Sequence, residues 1–296
     1  MKMMKWLAVL ACSVIILAGC SKKETVKIGA QTFSEQLILA HMVGLLVKEK
    51  AGLDVKVVSD LSSTSFNHQS MLNNDVQISF RYVGTDYTGT LKIEEQPKDM
   101  ESALKTLQER FKSDFQQTWF PPLGFENTYG FTVRQELADE LKLETVSDLK
   151  DAAKDLSLGT DQVWLERPFD GYPAFIEKYG FEFAKTFPME VGLVYKAVQS
   201  KDVDVVIAYT TDARLKEYNL KVLADDKKLF PPYQASVVAR DDLLKKHPAV
   251  KEVIDSLEGK IDTETMTALN YQVDVKLEEP EQVAKQFLIE KGLLNG

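Results

Sequence analysis

Between residues 26 and 83 the apolar positions alternate between two periods. "VKIGA" (26–30) repeats every second residue and predicts a strand. "SEQLILAHMVGLLVKEKAG" (34–52) has a helical spacing, with Ser34 as N-cap, an apolar face through Leu37, Leu39, Met42, Leu45 and Leu46, and a stop at Gly52. "DVKVVSDL" (54–61) alternates again, "NHQSMLNNDV" (67–76) suits a short helix, and "QISFRYV" (77–83) is strand-like. This β-α-β-α-β order predicts an α/β lobe with a mostly parallel sheet.

A second series starts near "YGFTVRQEL" (129–137). It predicts helices at 147–156, 173–180 and 193–202, a short strand and loop at 157–161, a buried strand in "VDVVIAYTTD" (203–212) and a further strand at 221–226. After "LFPPYQASVVAR" (229–240) the pattern is helical to the end. The chain is thus expected to form two lobes, 27–127 plus 234–296 and 128–233. The crossovers fall near 120–130 and 230–236, and each region carries a Pro-Pro pair that restricts bending.

The N-terminus changes the picture. Lys2 and Lys5 precede the apolar run "WLAVLACSVIIL" (6–17), which is short for a bilayer span and ends in "LAGC" (17–20). That order predicts a lipoprotein signal peptide over 1–19, with Cys20 as the lipidated residue and 20–26 as a polar tether. An ordinary secretory signal with a chance cysteine is the plainer alternative. On the first reading the protein is extracytoplasmic and held to the membrane by lipid. Cys12 leaves with the signal and no disulfide remains, so the fold rests on its core. Two α/β lobes in an exported, tethered chain suggest a solute-binding protein with its ligand cleft between the lobes.

Charge narrows the partners. The chain carries 36 Lys and Arg against 45 Asp and Glu, and becomes more negative without Lys2 and Lys5. Nucleic acid is a poor partner for such a surface. His41, His68 and His247 form no metal-ligating spacing, and no GxSxG, SxxK, P-loop or GxGxxG pattern occurs. Neither a metal, a cofactor nor catalysis is expected.

What remains is aromatic. Tyr82 stands where a strand meets its loop, Tyr129 near the first crossover, Tyr209 at the end of a buried strand, and Tyr233 after Pro231-Pro232. Ligands of open α/β sheets bind beyond strand ends. Four ring faces there could box a quaternary ammonium, at about 0.5–2 kcal/mol per ring. The same four also read as ordinary core or interface tyrosines.

The segments "IGAQTFSEQ" (28–36), "RYVGTDYTG" (81–89), "ENTYGF" (126–131), "WLERPFDGY" (164–172), "GLVYKAV" (192–198), "DVVIAYTTDARL" (204–215) and "LFPPYQAS" (229–236) occur in that order. As a set they resemble the substrate-binding lipoproteins of osmoprotectant ABC importers, the glycine betaine/carnitine/choline-binding proteins of the Opu type and their ProX-like relatives. The resemblance implies a two-lobed type II periplasmic-binding-protein fold. It implies a cage of Tyr82, Tyr129, Tyr209 and Tyr233, with Gln31, Thr85 and Arg167 as candidates for the other end of the ligand. It also implies a monomer that delivers its solute to an ABC permease with a separate ATPase. A neutral Thr85, where choline-restricted relatives are expected to be acidic, suits betaines; Gln31 stands where some relatives have Lys. Tyr87 is expected to pack rather than wall the pocket. Rival readings are a choline-only or ergothioneine-type binding protein, an amino-acid-binding protein, and an exported lipoprotein enzyme.

Overall fold

The structure is a computed structural model and describes residues 25–94, 97 and 99–296. The predicted signal peptide and Cys20 lie outside the described residues. The chain runs β1 (Thr25–Gly29), α1 (Ser34–Lys50), β2 (Asp54–Val58), α2 (Thr64–Leu72), β3 (Ile78–Tyr82), a short α3 (Val83–Thr85) continued by a π-turn over Asp86–Thr90, α4 (Met100–Phe115) and β4 (Gln117–Glu126). It continues with β5 (Tyr129–Arg134), α5 (Gln135–Leu141), β6 (Ser157–Thr160), α6 (Gln162–Glu166), α7 (Tyr172–Tyr179), β7 (Lys185–Pro188), α8 (Val191–Gln199), β8 (Val205–Tyr209), α9 (Arg214–Glu217) and β9 (Leu220–Val222). It closes with β10 (Gln234–Arg240), α10 (Asp241–Lys246), α11 (Pro248–Asp255), α12 (Thr263–Asp274) and α13 (Pro280–Glu290).

Two five-stranded sheets result, ordered β2-β1-β3-β10-β4 and β7-β6-β8-β5-β9. Each follows one scheme. Four strands run in one direction, and the single antiparallel strand, β10 or β5, is the one that enters directly after the chain has crossed from the other sheet. The two crossing segments touch: the Asn127 amide donates to the Tyr233 carbonyl at 3.2 Å, and the Tyr233 amide to Glu126 Oε1 at 3.0 Å.

Alternation along β3 separates two cores. Ile78, Phe80 and Tyr82 face the cluster built with α1 and the C-terminal helices. Ser79 and Arg81 point to the other face, where Arg81 pairs with the buried Asp86. Helix α1 is buried on more than the predicted stripe. Ile38, Leu39, Met42, Val43 and Leu46 are sealed, because the sheet covers one side and α11–α13 the other. Each such side chain stabilises the lobe by about 1.5–3 kcal/mol.

Four local expectations are corrected. Phe33, not Ser34, is the N-cap of α1, and the Ser34 hydroxyl donates to Asp274 of α12 instead. Helix α2 starts at Thr64, three residues early, because the Ser63 hydroxyl accepts from the Phe66 amide. The 147–156 segment is no α-helix but 3₁₀ turns over Val146–Leu149 and Ala153–Asp155, with Asp148 Oδ2 drawing the Glu144 and Thr145 amides. Pro121-Pro122 lies inside β4, not in the crossover. β4 is an edge strand with register shifts against β10, where missing amide donors are tolerated.

Candidate ligand-binding site

A cavity of about 1180 Å³ opens between the two sheets. Its wall contains all seven residues singled out from the sequence: Gln31, Tyr82, Thr85, Tyr129, Arg167, Tyr209 and Tyr233. Strand ends put them there. Gln31 follows β1, Tyr82 ends β3, Tyr129 opens β5, Tyr209 ends β8 and Tyr233 precedes β10. Thr85 sits in α3 and Arg167 directly after α6.

Three of the tyrosines form one cluster. Tyr129 lies 5.1 Å from Tyr209, ring centroid to centroid, and meets Tyr233 at 5.6 Å with the planes at 89°. Tyr209 stacks on Phe33 of the other lobe at 5.7 Å. Tyr82 belongs to the first lobe, and its hydroxyl donates to Glu35. Burial pushes all four hydroxyl pKa values up, so the rings stay neutral and keep their π faces.

The polar candidates are held differently. Gln31 Oε1 accepts from Gln36 Nε2 at 3.3 Å, which orients the side-chain amide and leaves its N–H groups as donors. Gln36 is fixed in turn by the Phe80 carbonyl. Arg167 is already engaged. Its guanidinium forks onto Asp170, through Nε to Oδ1 at 2.6 Å and through Nη2 to Oδ2. Asp170 is buried and also accepts from the Tyr233 hydroxyl. The expected ligand fork is therefore an internal ion pair here, and it braces Tyr233 while the Arg167 Cζ stands 5.8 Å from the Tyr129 ring centroid. Gly84 approaches protein, not the cleft: a Cβ there would lie 2.8 Å from Pro231 Cγ and the Pro232 carbonyl and 3.0 Å from Tyr233. Tyr87 packs against the core of α2 and α4, away from the cavity wall.

Sequence reading missed Phe33, Asp170 and Glu35. Glu35 is buried in the first turn of α1. Oε1 accepts from the Tyr82 hydroxyl at 2.5 Å and from Asn127 Nδ2 at 2.9 Å; Oε2 accepts from the Thr211 hydroxyl at 2.7 Å and from Asn270 Nδ2 at 3.3 Å. Burial raises its carboxyl pKa, and the four donors oppose that. The sequence signal was only an acidic residue in a first helical turn, which ordinarily answers the helix dipole.

The cavity is acidic. Among the described residues its wall carries Glu94, Asp161, Glu166, Asp170 and Glu190 against Lys92 and Arg167. Such a concave, negative site with aromatic walls draws in a cationic group.

Two α/β lobes with an aromatic cleft between them define a solute-binding protein. The chain belongs to the family described as the substrate binding domain of ABC-type glycine betaine transport systems, which residues 24–290 match. It is 47% identical to the carnitine transport binding protein OpuCC of Listeria monocytogenes, over 97% of this chain and 92% of the relative. It is 34% identical to the ergothioneine transport permease/ergothioneine binding protein EgtU of Helicobacter pylori, over 94% of this chain and 50% of that protein. The crystal structure of a glycine betaine/carnitine/choline ABC transporter protein superposes with a TM-score of 0.75 at 45% identity, covering 91% of this chain and 100% of the other.

Proposed function

We propose that this protein captures a quaternary-ammonium compatible solute of the glycine betaine, carnitine or choline kind outside the cytoplasm and hands it to an ABC permease driven by a separate ATPase. One observation carries the reading: four neutral tyrosines from both lobes converge on one acidic cavity together with Gln31 and Thr85. A trimethylammonium group cannot donate hydrogen bonds, so ring quadrupoles replace its weak hydration. Gln31 and Thr85 then donate to the ligand's carboxylate, or to a hydroxyl. A neutral Thr85 adds no charge against a carboxylate, which favours betaines over choline.

In this reading the lobes are 27–127 plus 234–296 and 128–233, hinged at the two touching crossovers. Ligand stabilises the closed form because only closure completes the cage. Residues 1–19 are removed, Cys20 carries the lipid, and the protein works as a monomer. Among the described residues no helix is long and apolar enough to cross a membrane.

Calorimetric titration of the chain from Ser21 with glycine betaine, carnitine and choline tests this, alongside Tyr209→Ala. Saturable binding of the betaines, weakened up to about 30-fold by the substitution, is expected. Binding of choline alone would overturn the role given to Thr85. Binding of ergothioneine alone would favour the second reading, which the likeness to EgtU supports.

A further inference from the structure

Glu35 has the most connected carboxylate in the molecule's interlobe region, and all four of its donors are neutral. A buried carboxylate without a cationic partner is costly and is kept only where its hydrogen bonds are complete. The donors come from four separate places. Tyr82 ends β3, Asn127 lies in the first crossover, Thr211 follows β8, and Asn270 lies in α12. Asn127 and Asn270 turn their amide nitrogens to Glu35, although their own Oδ1 atoms then have no protein partner among the described residues. The Asn127 amide is thus set by the carboxylate, and Asn270 Nδ2 is shared between Glu35 and the Thr211 carbonyl at 3.2 Å, which ties the Thr211 segment to α12.

The two cage halves meet at this point. Tyr82 is a wall from the first lobe, and Thr211 is two residues past Tyr209, a wall from the second. Phe33, two residues before Glu35, stacks on that same Tyr209. We propose that Glu35 is the positioning residue of the cage: one carboxylate locks Tyr82 of the first lobe and the 209–211 segment of the second into a single register, and so sets the distance between the ring walls. Cation–π attraction requires each face within about 6 Å of the cation, so a register error weakens several rings at once. This rests on the quaternary-ammonium reading of the cleft, which it deepens.

The test is a cycle of ligand affinities, using glycine betaine or whichever of carnitine and choline the wild type binds. Tyr82→Phe and Thr211→Val each remove one hydroxyl and keep the ring or the side-chain shape. Each should weaken binding about tenfold, the scale of one charge-assisted hydrogen bond. The double variant should be no weaker than the worse single, because cutting either end already breaks the link through Glu35. Glu35→Gln should lose at least as much, measured per folded molecule, and be insensitive to a further Thr211→Val. A purely structural role would lower the unliganded unfolding midpoint without coupling two substitutions on opposite lobes in affinity. Additive losses, or wild-type affinity in both single variants, would overturn the proposal. Should Glu35→Gln not fold, the two hydroxyl deletions decide alone. Failure of the wild type to bind any of the three ligands would instead remove the reading of the cleft itself.

Discussion

Tyr129 and Tyr209 stand directly opposite each other in the antiparallel pair β5–β8, with ring centroids 5.1 Å apart. The register of one sheet therefore sets two walls of the cleft before any ligand arrives. A one-residue slip of either strand would turn its tyrosine to the other face and separate the pair. Tyr233 closes on Tyr129 edge-on from the second crossover, and the Arg167–Asp170 pair braces its hydroxyl end. The proposed cage would thus be preorganised on rigid elements, with Tyr82 supplied from the facing lobe.

Gly84 controls Tyr233 through space. An added Cβ would meet the Pro232 carbonyl at 2.8 Å, and a backbone oxygen cannot rotate away. Gly84→Ala should displace the 231–233 segment at a cost of about 1–3 kcal/mol. It should also weaken ligand binding more than a remote substitution of equal stability cost. Titration and thermal unfolding of the variant, side by side, check this.

The Arg167–Asp170 pair should behave as a buried pair. Arg167→Ala leaves the buried Asp170 carboxylate without its cation and should cost up to about 3–5 kcal/mol. Replacing both partners with apolar side chains, Arg167→Met with Asp170→Leu, should recover much of that stability. The double variant should still bind poorly, since Tyr233 loses its acceptor. Denaturant titration gives the first result and calorimetry the second.

His68 makes stability depend on pH. It packs edge-on against Phe115 at 4.6 Å, and burial, helped by the Arg81 charge, lowers its pKa to about 4 from 6.5. The unfolded chain then takes up a proton that the fold refuses between those values. Stability is accordingly unaffected above about pH 6.5 and falls progressively as pH drops toward 4. His68→Phe should flatten this part of the profile, leaving the contribution of the carboxylates in place. Unfolding midpoints of both proteins from pH 7 to pH 4.5 give the comparison.

Much of the cavity wall was legible because period-two strands end at it. Tyr82, Tyr129 and Tyr209 sit at strand ends whose alternation is plain in "QISFRYV", "YGFTVRQEL" and "VDVVIAYTTD". The illegible parts depend on contacts remote in sequence. Glu35 looks like a helix-start carboxylate until Asn270 and Thr211 arrive from 235 and 176 residues away. Arg167 reads as a ligand fork until Asp170, three residues on, is seen to face it from a turn. β4 was hidden by its Pro-Pro pair, which an edge position with an irregular register permits.

In the proposed site the tyrosines hold a positive charge, not merely a bulky apolar group. The direct measurement compares glycine betaine with 3,3-dimethylbutanoate, its uncharged-head isostere, in which carbon replaces the quaternary nitrogen. The two have the same shape and carboxylate. Saturable binding of the betaine, with the isostere at least about 100-fold weaker, is the predicted result. Equal affinity for the two would contradict the account.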